Sequence, residues 1–90
     1  MDLNVGDIIR IEDGRLAVVT VRKQYEARAH NDRWTDYHTE AHFLTRNLTV
    51  NKAGNKITFS TDDALRGQFT KVGTAEVEWK VDAKKIKLDK

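Results

Sequence analysis

The sequence predicts a mainly β domain, built as a small barrel or a two-layer sandwich of five to six antiparallel strands. Apolar and polar residues alternate over long stretches, which is typical of strands with one buried face. The chain contains no proline that would interrupt strand pairing. Its 90 residues are a one-domain length. Because so many strands cannot bury their apolar faces as an open sheet, we expect the single domain, residues 1–90, to curl into a barrel or sandwich.

The first two strands are predicted to be joined by a tight turn. A short strand covers residues 7–12, and the pair Asp13–Gly14 is typical of the turn that follows. In the second strand every second residue from Thr20 is polar. The interleaved positions are apolar except for one lysine: Ala17, Val19, Val21, Lys23, Tyr25, Ala27 and Ala29.

A long central hairpin is predicted next, with its tip near Asp32. The returning strand places Tyr37, Thr39, Ala41 and Phe43 on one face, and the connection at residues 30–34 is rich in turn formers. Opposite charges and apolar residues coincide across the hairpin in one register. In that register Arg28 faces Asp36, Glu26 faces His38, and Val21 faces Phe43.

A helix is the alternative for residues 34–48. Trp34, Tyr37, Ala41, Leu44 and Leu48 follow the spacing of a helix face. The threonines and aromatic residues in this segment suit a strand better, so the strand is favoured.

The remaining elements are shorter. Residues 48–50 and 57–59 flank a turn-rich segment and predict another hairpin. Residues 60–67 predict one helical turn, with a hydroxyl to cap its start and Gly67 to end it. Residues 75–81 alternate as a half-buried strand, and residues 83–90 are expected to form a basic C-terminal tail.

The opening of the chain resembles that of SH3-like small barrels. A strand with the sequence VGDIIRI starts at Val5, Gly14 follows in a turn, and LAVVTV returns from Leu16. KOW-type and Tudor-like members commonly begin with such a hairpin, although the second glycine of the KOW pattern is replaced here by Ala17 and Val18. The resemblance covers about the first quarter of the chain. It implies an SH3-like barrel that binds nucleic acid or protein segments.

Composition excludes several classes of protein. There is no cysteine for a disulfide or a cysteine-based zinc site. The N-terminus has no basic region followed by an apolar run, and no apolar stretch reaches membrane-spanning length. We therefore expect a cytoplasmic protein with no membrane partner.

The polar cluster that most resembles a catalytic or metal site lies around the second half of the hairpin: His30, Asp32, Asp36, His38, Glu40 and His42. On a strand His38 and His42 would be about 13 Å apart, which is too far to share one zinc ion. No nucleophile motif or glycine-rich phosphate loop is present. The expectation is therefore a non-enzymatic protein without metal or cofactor, whose cluster is a solvated sheet face.

Binding residues are predicted at the hairpin tip and in the tail. Tryptophan and arginine dominate binding hot spots, and Arg33 and Trp34 lie next to the predicted tip. A tip tryptophan that folds back over the barrel end is the alternative. The other candidates are basic residues along the hairpin and tail: Arg22, Arg28, Lys84, Lys85 and Lys87.

Two functions follow from these candidates. The net charge is only +2, but residues 46–90 carry ten basic against six acidic residues, and residues 1–45 carry six against eight. The first hypothesis is a small nucleic-acid-binding module that uses the tip and the basic second half, binding DNA or RNA. The alternative is a protein-binding regulatory or inhibitor module, for example a phage- or mobile-element-type inhibitor of a host factor. Oligomeric state stays open.

Overall fold

Six antiparallel strands and one helical turn make up the fold in a computed structural model that describes residues 2–45, 55–77 and 83–88. Side chains are described for residues 2–45 and 55–75. The elements in chain order are β1 (Asp7–Ile11), β2 (Leu16–Ala29), β3 (Asp32–Phe43), β4 (Lys56–Phe59), α1 (Asp62–Leu65), β5 (Phe69–Val77) and β6 (Ala83–Leu88). The predicted mainly β class with one short helical turn is confirmed.

The strands form one sheet with the order β4-β3-β2-β1-β5-β6, and every neighbouring pair is antiparallel. A closed barrel would require β4 to pair with β6. Within the described residues these two strands are instead the edges of the sheet. The sheet is therefore not closed, and this corrects the barrel and sandwich predictions. In addition, the outer parts of β2 and β3 pair only with each other among the described strands.

The predicted opening hairpin of β1 and β2 is confirmed. Gly14 has a φ of 92°, and its N–H donates to the Ile11 carbonyl in the turn. Gly6 precedes β1 with a φ of 97°, and a Cβ there would lie 2.6 Å from the Ala75 carbonyl oxygen. Only glycine fits this approach, which brings β5 beside β1.

The central hairpin is confirmed, but the predicted register is wrong by three residues. Arg28 faces Arg33 rather than Asp36, and Val21 faces Glu40 rather than Phe43. The turn is also tighter than predicted, because Ala29 pairs with Asp32 and leaves only two residues at the tip. The first of these, His30, has a φ of 55°. The structure has a strand, not the alternative helix, over the described part of residues 34–48.

A β-bulge at Thr20 divides β2 into two halves. The register with β3 shifts between Val19 and Val21, so Thr20 is an extra residue. Before the bulge, Ala17 and Val19 belong to the core. After it, Arg22 pairs with Thr39 and donates to its side chain, so even-numbered residues of β2 now face this side of the sheet. The uninterrupted alternation predicted for residues 17–29 is thus broken.

The main hydrophobic cluster lies on one face of the sheet, and the paired residues Ile8 and Val18 are fully buried on the opposite face. β1, β2 and β3 contribute its central buried residues, which are Ile9, Ala17, Val19, Ala41 and Phe43. Leu65 of α1 and Leu3 are packed into the same cluster. Among the described residues, this cluster is therefore covered by a helical turn and the N-terminal segment rather than by a second sheet.

The later elements match the predictions in part. The helical turn is confirmed, with Thr61 as its N-cap and Gly67 at a φ of 77° after it. β4 pairs with Thr39–His42 of β3, whereas residues 48–50, its predicted partner, lie outside the described residues. β5 begins at Phe69, earlier than predicted, and residues 78–81 are not described. Residues 83–88, expected in a tail, form β6 beside β5.

Candidate binding site on the hairpin arm

The outer part of the β2–β3 hairpin, residues 23–35, projects from the sheet, and we call it the arm. β1 pairs with β2 only at Leu16–Val18, and β4 pairs with β3 only at Thr39–His42. Beyond these positions β2 and β3 pair with each other alone among the described strands. The molecule is consequently elongated, with extents of 48 × 25 × 20 Å.

The arm has two chemically different faces. Side chains alternate along a strand, and residues that pair directly across a hairpin share a face. Trp34 is opposite Ala27, and Tyr25 lies two residues before Ala27 on the same side, so these three form an aromatic face. Arg28 is opposite Arg33, and Glu26 lies beside Arg28 on the other, charged face. Arg33 and Trp34, predicted to act together, therefore point to opposite sides.

The aromatic face is exposed and held in place at its base. Trp34 is 45% exposed and Tyr25 is 37% exposed. The Tyr25 hydroxyl donates to the Ser60 carbonyl at 2.6 Å, which ties the arm to the segment before α1. Partial burial, with smaller contributions from the Asp36 and Asp62 carboxylates, raises the pKa of Tyr25 above its ordinary value. The phenol therefore stays a neutral hydrogen-bond donor.

The charged face holds one carboxylate, that of Glu26, beside two arginines. Glu26 Oε1 lies 3.4 Å from Arg28 Nε and 3.8 Å from Arg33 Nε, with all three side chains more than half exposed. Glu26 thus offsets the repulsion between the two opposed arginines. On the aromatic face, Lys23 adds a positive charge, and Asp32 and the Asp36 at the base of the arm add negative ones. Residues 23–36 carry three basic and three acidic side chains.

The structure places Arg22, a predicted partner-binding residue, inside the protein. Its side chain is 7% exposed and forms a two-pronged ion pair with Asp62, with N–O distances of 2.5 and 3.1 Å. It also donates to the Thr39 hydroxyl and to the Leu3 carbonyl. Its guanidinium lies 4.2 Å from the centre of the Tyr37 ring. Arg22 therefore joins β2, β3, α1 and the N-terminal segment.

Asp36 lies on β3 beside this network, beyond Thr39, the last residue of β3 that pairs with β4 in this direction. Its Oδ1 accepts the backbone N–H of Asp62 and that of Tyr37, each at 2.8 Å. These two donors, the Asp62 N–H first, hold the pKa of Asp36 below its usual range. The carboxylate therefore fixes the start of α1 to β3 and occupies a backbone donor at the edge of β3.

The other predicted basic residues lie far from the arm in the sheet. Lys84, Lys85 and Lys87 are on β6, the edge strand that follows β5. Two strands, β1 and β5, separate β6 from β2. Arg28 and Arg33 are thus not brought together with these lysines in the sheet.

The polar cluster of β3 is an ion-pair network on the sheet surface. Glu40 lies 2.7 Å from Lys56 Nζ and 2.9 Å from His38 Nε2. Lys56 first, and His38 second, lower the pKa of Glu40. His42 is turned to Thr20, with 2.8 Å between Nδ1 and Oγ1, and burial lowers its pKa. No three acidic or histidine side chains among the described residues are grouped to hold a metal ion.

Sequence reasoning missed the exposure of Tyr25 and the ion pair between Arg22 and Asp62. Tyr25 was assigned to the buried side of an unbroken alternation, which the bulge at Thr20 reverses. The available signal was an aromatic residue in a stretch that also holds Lys23, Glu26 and Arg28. Asp62 lies forty positions after Arg22, and nothing in its local sequence identifies Arg22 as its partner.

Comparisons of this chain with protein-family models, with curated proteins and with solved structures find no match. Within the described residues, no helix has the length and apolar character needed to cross a membrane.

Proposed function

We propose that this chain is a small protein-binding module that presents the aromatic face of its arm to a partner protein. The observation that carries the proposal is the partial exposure of Trp34 and Tyr25 on one side of a projecting hairpin, where Ala27 lies opposite Trp34 and Asp36 lies opposite Tyr25. Large aromatic side chains on a rigid support are the residues that most often dominate binding energy at protein interfaces.

The charge distribution favours a protein over a nucleic acid. Phosphate contacts need basic side chains that converge on one surface. In this chain Arg22 is occupied by Asp62, Glu26 lies between Arg28 and Arg33, and the lysines of β6 lie at the far edge of the sheet. Nucleic-acid binding by the charged face of the arm is kept as the competing outcome of the test, because a two-stranded ribbon can enter a DNA major groove.

The SH3-like resemblance is part of the same proposal. β1 to β4 form a meander, and after one helical turn β5 returns beside β1. This strand order is compatible with the SH3-like resemblance of the opening hairpin, although the described sheet is open. A regulatory or inhibitor role and a cytoplasmic location stay predictions from the sequence.

The test compares the two faces of the arm in the same capture experiment. The full chain, its Trp34→Ala variant and an Arg28→Ala/Arg33→Ala variant are immobilised and exposed to nuclease-treated lysate. A partner that is then purified should bind the wild type and the double arginine variant, and Trp34→Ala should weaken binding by about 2 kcal/mol, roughly 30-fold. Because Trp34 is half-buried and its side chain hydrogen-bonds to Asp36, urea unfolding checks that the Trp34→Ala variant is still folded under the binding conditions.

The competing outcome is measured by fluorescence anisotropy of labelled DNA and RNA at about 50 and 200 mM salt. Binding that weakens steeply at the higher salt, and is lost in the double arginine variant while Trp34→Ala retains it, would overturn the protein-binding proposal. Partners captured equally by the wild type and Trp34→Ala would overturn the assignment of the aromatic face.

A further inference from the structure

The outer edge of β2 in the arm carries backbone groups that no described strand takes up. The Leu44 N–H donates to the Leu16 carbonyl, and the Phe43 N–H donates to the Asn55 carbonyl. Even-numbered residues of β3 thus direct their backbone toward β2, and odd-numbered ones toward β4. Through the observed register, Tyr25 and Ala27 bond with β3. The N–H and C=O groups of Glu26 and Arg28 consequently point outward.

This edge is complementary to itself. In an antiparallel pairing of two copies centred on Ala27, Glu26 of each copy stands opposite Arg28 of the other. Both residues direct their backbone groups outward, so each such pair can exchange two hydrogen bonds, four in total. The Glu26 carboxylate is 3.4 Å from its own Arg28, longer than a normal charge-assisted hydrogen bond, so a closer cross-strand contact is open to it.

The aromatic face continues across the same pairing. Trp34 lies opposite Ala27 within one chain, so two copies would align Trp34, Ala27, Ala27 and Trp34 in one row across four strands. A two-stranded ribbon is marginal alone and gains stability when further strands are added. Exposed strand edges are also the surfaces that most readily pair with another chain.

We propose that the chain forms a symmetric homodimer in which the outer edges of β2 pair antiparallel, with the two-fold axis at Ala27. Glu26 and Arg28 set the register through two equivalent ion pairs. This proposal does not depend on the partner protein proposed above.

The register is tested by disulfide trapping in the full chain, which has no native cysteine. The two Ala27 positions form a non-hydrogen-bonded pair with a Cα–Cα distance of about 4.5 Å, within the range of a disulfide. Ala27→Cys should therefore cross-link readily under mild oxidation. Ala29→Cys is the matched control, because the two copies of this position would be about 13 Å apart. Equal cross-linking of both variants, or of neither, would overturn the register.

The charges are tested by exchange, with sedimentation measurements over a range of concentrations. Glu26→Arg and Arg28→Glu should each weaken the dimer about tenfold or more, because each replaces two attractive pairs with two repulsive ones. The double variant Glu26→Arg/Arg28→Glu should restore wild-type association. Both substitutions are at exposed positions, and circular dichroism checks that the three variants are folded.

Two results would overturn the dimer: a wild type that stays monomeric at every concentration, or a double variant as weak as the single ones. A monomer that still binds a purified partner through Trp34 would leave the proposed function intact. A dimer that binds no such partner would support the homodimer and contradict the proposed function.

Discussion

Arg22 and Arg28 lie on the same strand and on the same side of it, but the body of the protein and the arm use them differently. In the body Arg22 is buried and joins four segments through its ion pair with Asp62. In the arm Arg28 is 64% exposed and its contact to Glu26 is long. Residue type and strand position therefore do not decide whether an arginine side chain is buried in the body or exposed to a partner. What decides it is whether another segment covers the side chain, as α1 and the N-terminal segment cover Arg22.

The largest expected effect tests this comparison directly. Arg22→Met should destabilise the protein by about 3 kcal/mol, because it leaves the partly buried Asp62 carboxylate without its cation. Arg28→Met should change stability by no more than about 0.5 kcal/mol, as is usual for exposed sites. Urea unfolding at neutral pH measures both. Similar losses in the two variants would show that body and arm are not distinct.

The next effect concerns the junction of arm and body at Asp36. Asp36→Ala should lower the urea midpoint and speed amide exchange at Asp62 and Tyr37, because both N–H groups lose their acceptor. Asp32→Ala, near the tip, is the control and should do neither. Because the folded-state pKa of Asp36 is depressed, its contribution is complete above the ordinary value of 3.8 and is lost as the pH falls through the lower folded value. The variant should therefore be less sensitive to acid than the wild type.

A smaller effect belongs to the body alone. Burial lowers the pKa of His42 from its ordinary value of 6.5, so folding favours the neutral ring. Stability from this residue is complete above that value and declines as the pH falls from about 7 toward 5. His42→Gln should flatten this part of the stability profile. An unchanged slope in denaturation midpoints measured at pH 7, 6 and 5 would contradict the assignment.

The smallest effect is expected in the amide exchange rates along the arm, which can be measured without any change in stability. At low protein concentration, amide exchange should alternate along β2, with Tyr25 and Ala27 protected and Glu26 and Arg28 exchanging quickly. The alternation follows from the backbone directions set by the β2–β3 register. Protection of Glu26 and Arg28 that appears only as concentration rises would agree with edge pairing, whereas protection of all four at low concentration would contradict an open edge.

The elements of the fold were largely predictable because they depend on local patterns. Alternation identified β2 and β3, and the Asp13–Gly14 pair identified the first turn. The helical turn followed from its hydroxyl cap and from Gly67, which can adopt the positive φ required. Each of these features needs only a few neighbouring residues.

The register and the facing of the arm were not predictable from such patterns. Thr20 and Val21 are both β-branched and suit a regular strand as well as a bulge, so the reversal of facing leaves no local trace. The true register opposes Arg28 to Arg33, which looks unfavourable until Glu26 is seen beside them. The ion-pair partner of Arg22 is Asp62, which lies forty positions later in the chain.

The bulge at Thr20 also affects how the hairpin can change in length. Because it resets the alternation between the core half of β2 and the outer half, residues can be added to or removed from the outer half without shifting Ala17 and Val19 from their places. Removing one residue from each strand between the bulge and the aromatic residues would exchange the aromatic and charged faces, whereas removing two from each strand would keep them. Viable length variants of this hairpin should therefore differ by even steps on each strand.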